Sequence, residues 1–319
     1  MSSLKTDILK LLSNHEHISG QKLADELEVS RTAVWKAVQN LKSEGYIIES
    51  VQNKGYLLKE KTSHINHSAL LNMVEYSRHF DVLHFKESID STQLLAKSLI
   101  NRTDEQFIVV ALEQTAGRGR FNRPWASPKN NGLYISIVLK PDISLSEIIR
   151  FNLFMSLAIS EALDQSFNIE SGIKWPNDIY INDKKVCGFL TEVLSEDHHV
   201  TSIICGIGIN LFDNDYLKSL GTATSIENES GKGNINIEHF LSTFISKIDE
   251  YYELFLSSSF DIIKKDWIER SIIFGKTIRI TEMTRTYYGK PVDITDDGFL
   301  VVIDEEGETH KVISADIEL

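Results

Sequence analysis

The chain has 319 residues, 42% of them apolar and 25% charged, with 33 basic and 46 acidic side chains and a formal net charge of −13. That length suggests two or three domains, and the composition is that of a globular protein with a sizeable core, which excludes wholesale disorder. Two cysteines, Cys187 and Cys205, exclude a disulfide scaffold and a Cys-rich zinc site, and they fit a reducing compartment. The opening MSSLKTDILK shows no secretory signal, and the apolar runs at 107–112 and 133–139 are too short to span a bilayer. A cytoplasmic protein with no membrane partner is expected.

Residues 1–60 carry eight basic and eight acidic side chains, so the whole acidic excess lies beyond them. An acidic protein is a poor non-specific binder of nucleic acid, so any DNA contact must come from a local patch. Residues 4–12 have helical apolar spacing. Ser19 is placed to cap a second helix bearing Leu23, Ala24 and Leu27. Ser30 is placed to cap a third, with Ala33, Val34, Ala37, Val38 and Leu41 inward. Gly45 ends it, and residues 46–51 and 56–58 read as strands joined by Gln52-Asn53-Lys54-Gly55. Three helices and a hairpin form a winged helix-turn-helix. The outward face of the third helix carries Arg31, Thr32, Trp35, Lys36, Gln39 and Asn40 inside an acid-free window, 29–43, and Lys54 stands at the wing. These side chains suit phosphates and base edges. Winged helices also serve as protein-interaction modules, but the basic face favours DNA. One neutral domain would bind an operator weakly, and dimerisation would double its phosphate contacts.

Residues 59–80 read as polar and irregular. Beyond them strand-like runs (82–85, 107–112, 133–139, 203–211) mix with helical runs (92–100, 145–165, 237–256, 260–270). Residues 179–181 and 186–193 flank Asn182-Asp183 as a hairpin. This pattern argues α+β rather than a doubly wound sheet. After Gly275, short alternating runs at 277–280, 291–294, 299–303 and 310–313, with turns at Asp297-Gly298 and Glu306-Gly307, read as a small β-barrel. The expected division is 1–62 for the winged helix, 63–80 for a linker, 81–272 for a catalytic domain and 273–319 for the barrel.

A second acid-free window, 114–131, follows an apolar strand. In it Gly117 and Gly119 let backbone approach a ligand, Arg118, Arg120 and Arg123 offer planar donors for phosphate or carboxylate, and Trp125 offers a face for a purine. It is neither a P-loop nor a Rossmann fingerprint. A flexible basic surface loop is the plainer alternative, but three arginines in an acidic domain favour a polyanionic ligand. Asp90-Ser91-Thr92-Gln93 sits at a strand-to-helix junction, where it is placed to hold a small polar head group; Ser91 alone would more often be only a helix cap. Lys174, Pro176 and Asp178, at alternate positions of one strand, would share a face, so that a cation and an acid aim together at phosphate and a divalent metal, unless they form a mere surface ion pair. Gly206-Ile-Gly-Ile-Asn210 puts two glycines on an apolar strand, which calls for a close ligand, close backbone or a bend.

Taken in order, GRGRFNRPW at 117–125, KWPNDIY at 174–180, KVCGFLTE at 185–192 and GIGIN at 206–210 closely resemble the bifunctional biotin–protein ligases that also repress the biotin operon. The resemblance covers the whole chain and implies a winged helix, a catalytic domain of the biotin/lipoate ligase type and a small C-terminal SH3-like barrel. It implies that biotin and MgATP give biotinyl-5′-adenylate, that a lysine of the biotin carboxyl carrier domain of a biotin-dependent carboxylase then takes the biotin, and that ligand binding promotes a homodimer on operator DNA. Magnesium comes with ATP, and no tightly bound prosthetic group is expected.

The same resemblance implies site roles. Ser91, Thr92, Gln93 and Gln114 hold the biotin ring. Arg118, Gly119, Arg120 and Lys185 meet its carboxylate and the phosphate. Arg120, Arg123, Trp125, Lys174 and Asn210 serve the nucleotide. Arg118, Lys185 and Asp178 are the catalytic group, with Asp178 also a candidate magnesium ligand. Many relatives have Asn where Gln93 stands, and some have a barrel arginine where this chain reads Lys311-Val-Ile313, so Lys311 is the substitute candidate. Cys187 reads as a small apolar filler. Phe121, an aromatic between charges, is placed to meet a second subunit when the loop orders. The rival functions are a lipoate or octanoyl ligase, a monofunctional ligase without operator binding, and a non-catalytic ligand-sensing repressor.

Overall fold

A computed structural model describes residues 4–12, 17–43, 46–51, 54–60, 65, 67–231, 235–257 and 260–319. The first unit contains α1 (Leu4–Leu12), α2 (Gly20–Glu26), α3 (Arg31–Ser43), β1 (Ile47–Val51) and β2 (Gly55–Glu60). Both expected serine caps form, since Ser19 and Ser30 Oγ accept from the backbone N–H of Lys22 and Ala33 at 3.1 Å each. Ile8, Leu12, Leu23, Val34, Val38 and Leu41 close one core behind α3. Gly55 has φ +101°, and a Cβ there would lie 2.1 Å from the Ile18 carbonyl oxygen, so only glycine lets Tyr56 exchange two backbone hydrogen bonds with Ile18. The expected helix stop at Gly45 and the wing-tip residues 52 and 53 lie outside the described residues.

The segment read as irregular between the first two units contains a helix, α4 (His67–Glu75). Ala69, Leu70 and Met73 are buried in the main core, which is why so polar a stretch is ordered: three apolar positions on one side suffice once a partner surface exists. The following turn is tied down at Asp249, whose carboxylate accepts from Ser77 Oγ at 3.1 Å and from the Arg78 N–H at 2.6 Å; burial pushes this carboxyl above the usual range.

The central sheet is built from β3 (Val82–Lys86), β4 (Phe107–Ala111), β5 (Gly132–Leu139), β6 (Ile143–Ser144), β7 (Gly172–Lys174), β8 (Asp178–Ile181), β9 (Lys184–Glu196) and β10 (His199–Asn210). Its order is β3-β4-β5-β10-β9-β8-β7, with β6 on β10; β3 and β4 run parallel and the other pairs antiparallel. Six helices accompany it: α5 (Thr92–Leu99), α6 (Ile148–Phe167), α7 (Asp215–Leu220), α8 (Ile226–Ser230), α9 (Ile237–Leu256) and α10 (Phe260–Arg270). All five β4 residues are buried because the sheet is covered on both sides. Ile108 and Val110 join the core containing α6 and α9, whereas Phe107 and Val109 pack with Ala96 of α5 and with Ile100. The same alternation runs along β10. Ile203, Cys205, Ile207 and Ile209 face the large core, leaving Ile204, Gly206, Gly208 and Asn210 on the α5 side.

The expected C-terminal β unit comprises β11 (Ile278–Thr281), β12 (Thr286–Ile294), β13 (Leu300–Asp304), β14 (Thr309–Val312) and β15 (Asp316–Glu318), ordered β14-β13-β12-β11-β15 and antiparallel throughout. Gly298 and Gly307 take φ +87° and +85° at the two expected turns. The last strand, β15, is too short to show as a pattern in the sequence. Among the described residues no helix is long and apolar enough to cross a membrane.

Candidate active site

On the α5 side of the sheet lies a cavity of about 370 Å³. Its floor is glycine because side chains from elsewhere occupy the space. A Cβ on Gly206 would stand 2.5 Å from the Gln93 amide carbon, and one on Gly208 would stand 2.4 Å from Trp125 Nε1. The glycines therefore answer to close approach rather than to a bend. Trp125 lies over this floor with Lys185 Nζ 5.2 Å from its ring centre. Its indole N–H is buried with no hydrogen-bond partner among the described residues, an arrangement costing about 1–3 kcal/mol until a partner arrives.

One wall is the start of α5. Ser91 occupies the cap position, is 3% exposed, and makes no side-chain cap hydrogen bond, so its hydroxyl is not serving as a helix cap. Its neighbours are already committed. The Thr92 N–H and hydroxyl both donate to Gln114 Oε1, at 2.9 and 3.1 Å, and Ser136 Oγ donates to Thr92 Oγ1 at 2.8 Å. Gln114 Nε2 donates to Ser127 Oγ at 3.0 Å, and Gln93 Nε2 donates to the Leu190 carbonyl at 2.9 Å. This network fixes the wall in one geometry.

Another part of the lining is cationic. Lys185 Nζ contacts Asp178 Oδ1 at 2.7 Å, with both side chains partly exposed to the cavity. Arg120 reaches Asn177 Oδ1 at 3.4 Å, and its other terminal nitrogen donates to Ser314 Oγ at 3.1 Å and the Ala315 carbonyl at 3.3 Å. Burial lowers the Arg120 pKa, while Asp178 and Asp316 pull it back up, so the guanidinium stays charged. Arg123 pairs with Asp316. The glycine-rich loop is thus held against the C-terminal sheet. Arg118 also lines the cavity, and its side chain has no ion-pair or hydrogen-bond partner among the described residues. Phe121 adopts φ 54°, ψ 32°, a left-handed conformation that costs an aromatic residue about 1–3 kcal/mol. It is 57% exposed, with the Arg120 and Arg123 guanidinium carbons 5.0 and 5.9 Å from its ring centre.

Comparison with known proteins gives this architecture a family. Residues 85–210 match the biotin/lipoate A/B protein ligase family, residues 5–57 match an HTH domain, and residues 273–319 match the biotin protein ligase C terminal domain. The bifunctional ligase/repressor BirA of Bacillus subtilis is 38% identical over 327 residues, spanning 100% of this chain and 99% of that protein. The chain belongs to the bifunctional biotin–protein ligase and repressor family. The corresponding protein of Escherichia coli is 25% identical across 98% of this chain and 96% of its own. A biotin protein ligase from Aquifex aeolicus, solved in complex with biotin and ATP, superposes with TM-score 0.64 at 30% identity, covering 75% of this chain and 98% of that one.

Of the ligase residues expected from sequence, Ser91, Thr92, Gln93, Gln114, Arg118, Gly119, Arg120, Arg123, Trp125, Asp178, Lys185 and Asn210 all border the one cavity. Two expectations need correction. Lys174 and Asp178 are not on one strand, although as directly opposed residues of an antiparallel pair they do share a sheet face. β7 ends at Lys174 and β8 begins at Asp178, the Trp175–Pro176 peptide between them is cis, and the two residues face each other across a hairpin. Lys174 Nζ donates to Tyr180 Oη at 3.1 Å, while Asp178 meets Lys185. Burial lowers the Lys174 pKa, opposed by Asp178, Asp316 and Glu318. Lys311 is not a cavity residue either: it pairs with Asp297 at 3.5 Å and lies over Phe299, because β14 is at the far end of its sheet. The C-terminal contribution comes instead from Ser314, Ala315 and Asp316, next to and within β15.

Sequence reasoning also missed Asn177, Asp316 and the α7 wall formed by Tyr216, Leu217 and Leu220. Asn177 had a signal, standing inside KWPND; its Nδ2 donates to the Phe189 carbonyl. Asp316 and α7 had none, since only the folded chain brings them to the loop. Asp178, the candidate magnesium ligand, gives one oxygen to Lys185 and borders the cavity, and a single carboxylate so placed suits magnesium that arrives with phosphates rather than a caged ion.

In the first unit, Arg31, Thr32, Trp35, Lys36, Gln39 and Asn40 are all exposed on α3, and Lys54 is exposed beside the wing tip.

Proposed function

We propose that this chain is an ATP-dependent biotin–protein ligase and a biotin-responsive repressor that acts as a dimer. The observation that carries the ligase reading is the pairing, in one cavity, of an uncommitted Ser91 hydroxyl on a rigid polar wall with Arg118, Arg120 and Lys185 elsewhere in the lining. The bicyclic ring of biotin has polar edges for the Ser91 wall, and its carboxylate needs cations.

In the first step a biotin carboxylate oxygen attacks the α-phosphorus of MgATP. A new P–O bond forms, the bridge from α- to β-phosphate breaks, and pyrophosphate leaves. Two anions must approach each other, so Arg118, Arg120 and Lys185 lower the barrier by neutralising carboxylate, phosphate and the charge gathering between them. Asp178 orients Lys185 and would hold the magnesium that comes with the nucleotide, whose charge would offset that of the phosphates. Trp125 and the α7 wall offer the adenine apolar surface, and Arg123 and Asn210, which border the cavity, are the candidates for the rest of the nucleotide; Lys174, held at Tyr180, does not border it. In the second step the neutral amine of a carrier lysine attacks the acyl carbon. The C–O bond to phosphate breaks, AMP leaves, and the amine loses a proton to water or to Asp178. No enzyme nucleophile is needed, and Cys187 is no candidate: it is fully buried, and burial pushes its thiol far above the ordinary range.

The mixed anhydride must be kept from water, and the loop from 117 to 125 covers it. Arg118→Gly is expected to release free adenylate and to weaken dimerisation, as read by a quench assay and by sedimentation; unchanged retention of the adenylate removes Arg118 from that role. Ligand-ordered packing of Phe121 against a second subunit links occupancy to dimerisation, and so to operator binding by two α3 helices. The deciding test incubates the protein with biotin, MgATP and a biotin carboxyl carrier domain and weighs the carrier. Biotin on one lysine is expected; an unmodified carrier, with biotin nonetheless bound to the protein, leaves only a ligand-sensing repressor.

A further inference from the structure

The helix expected to enter DNA carries one side chain that phosphate binding does not explain. Trp35 is 53% exposed in the second turn of α3. It follows Arg31 and Thr32 by about one helical turn and precedes Gln39 by another, so these four side chains share one stripe. The core behind the helix is complete without it, closed by Val34, Ala37, Val38 and Leu41. Among the described residues its ring has no aromatic or cationic partner. The α3 face from 29 to 43 holds Arg31, Lys36 and Lys42 with no acidic residue, so its charge complements a polyanion and argues against an acid-patterned protein partner.

Duplex DNA offers a recognition helix only one apolar group on its major-groove base edges, the C5 methyl of thymine; every other readable group is a hydrogen-bond donor or acceptor. An indole held outward between Arg31, Thr32 and Gln39 meets that chemistry. Gln39, one turn further along, has the amide that pairs with adenine on N6 and N7. We propose that Trp35 is a specificity-determining residue that reads thymine methyl groups in the operator, with Arg31 and Lys36 anchoring the backbone. This rests on the operator-binding reading and sharpens it: the half-site must present a thymine to the second turn of α3.

The experiment selects a tight-binding duplex from a random-sequence pool, using the full chain with biotin and MgATP. Each thymine is then replaced singly by deoxyuridine, which removes the methyl and leaves the Watson–Crick edge intact. For the unsubstituted protein, one or two replacements per half-site are expected to weaken binding about 5- to 30-fold, the lower part of the range for one mismatched base pair. Trp35→Ala is expected to lose a similar factor on the thymine duplex and to show no further penalty from uracil at those positions. Trp35→Phe, with a ring still present, is expected to keep part of the penalty. Arg31→Ala should weaken all duplexes alike and lower the salt slope by about one. Thermal unfolding of each variant separates loss of contact from loss of fold. A full uracil penalty retained by Trp35→Ala, or no penalty at any thymine in the unsubstituted protein, overturns the inference and leaves operator binding standing. Selection of no duplex at all overturns operator binding itself.

Discussion

Residues 29–43 and 114–131 are both free of acidic side chains in an otherwise acidic chain, yet their cations meet different surroundings. On α3, Arg31 and Lys36 stay in solvent while Val34, Val38 and Leu41 turn inward at helical spacing. In the loop, Arg120 and Arg123 are taken up by Asn177, Ser314 and Asp316, groups more than fifty residues away in sequence. A charge run therefore means different things according to what lies under it. Where apolar residues recur at helical spacing, the charges are the outer face and remain available to a large partner. Where glycine replaces that spacing, the backbone has no core of its own, and the charges are positioned by the rest of the fold around a small ligand.

The two regions should respond separately to substitution. Lys185→Ala removes a cation from the reacting centre and is expected to cut biotin-dependent pyrophosphate release by about 10²–10³-fold, in line with loss of one oriented charge stabiliser; operator affinity measured with pre-formed adenylate should hold, and parallel loss of both would merge the two regions. Gly208→Val drives a side chain into Trp125, whose Nε1 lies where a Cβ would be 2.4 Å away. The ring must leave, so ATP affinity should fall at least about tenfold by calorimetry, with overpacking costing about 1–3 kcal/mol of stability. Asp316→Ala frees Arg123. Because that arginine side chain is 67% exposed, the pair is worth only about 0–1 kcal/mol, and the melting temperature should barely move. Tryptic cleavage after Arg118 or Arg120 should nonetheless quicken, since the loop loses one of its holds on the C-terminal sheet and keeps only the Arg120 contacts to Ser314 and Ala315. The smallest expected effect is on the thiols. Burial raises the Cys205 pKa to about 12 and moves Cys187 upward as well. An ordinary thiol near 8.5 becomes far more reactive between pH 7 and 9, whereas these two stay protonated and should show flat, slow alkylation over that range. A steep rise in native protein would contradict their burial.

Much of this was legible locally. The serine caps at 19 and 30, the hairpin at Asn182-Asp183 and four of the six described α-helices from 92 onward, all but the short α7 and α8, follow from short-range rules of capping, turn chemistry and apolar period. The glycines of 206–210 called for a close ligand, close backbone or a bend, and the approaching groups are instead the side chains of Gln93 and Trp125. What stayed hidden depends on distant partners. Residues 67–75 look like linker until α9 supplies a surface for Leu70 and Met73. Lys174 and Asp178 look like neighbours on one strand until a turn at Pro176 folds one back across the other. Asp316 and the α7 residues Tyr216 and Leu220 carry no motif, and only the closed fold makes them walls of the cavity.

The most direct test is a crystal structure of the full chain with biotinyl-5′-adenylate. The fused rings are expected beside Ser91 and Gln93, the phosphate within hydrogen-bonding reach of Lys185 and of Arg118 or Arg120, and the adenine between Trp125 and α7. Density for the adenylate remote from both Arg118 and Lys185 would contradict the assignment of this cavity as the site where biotin is activated.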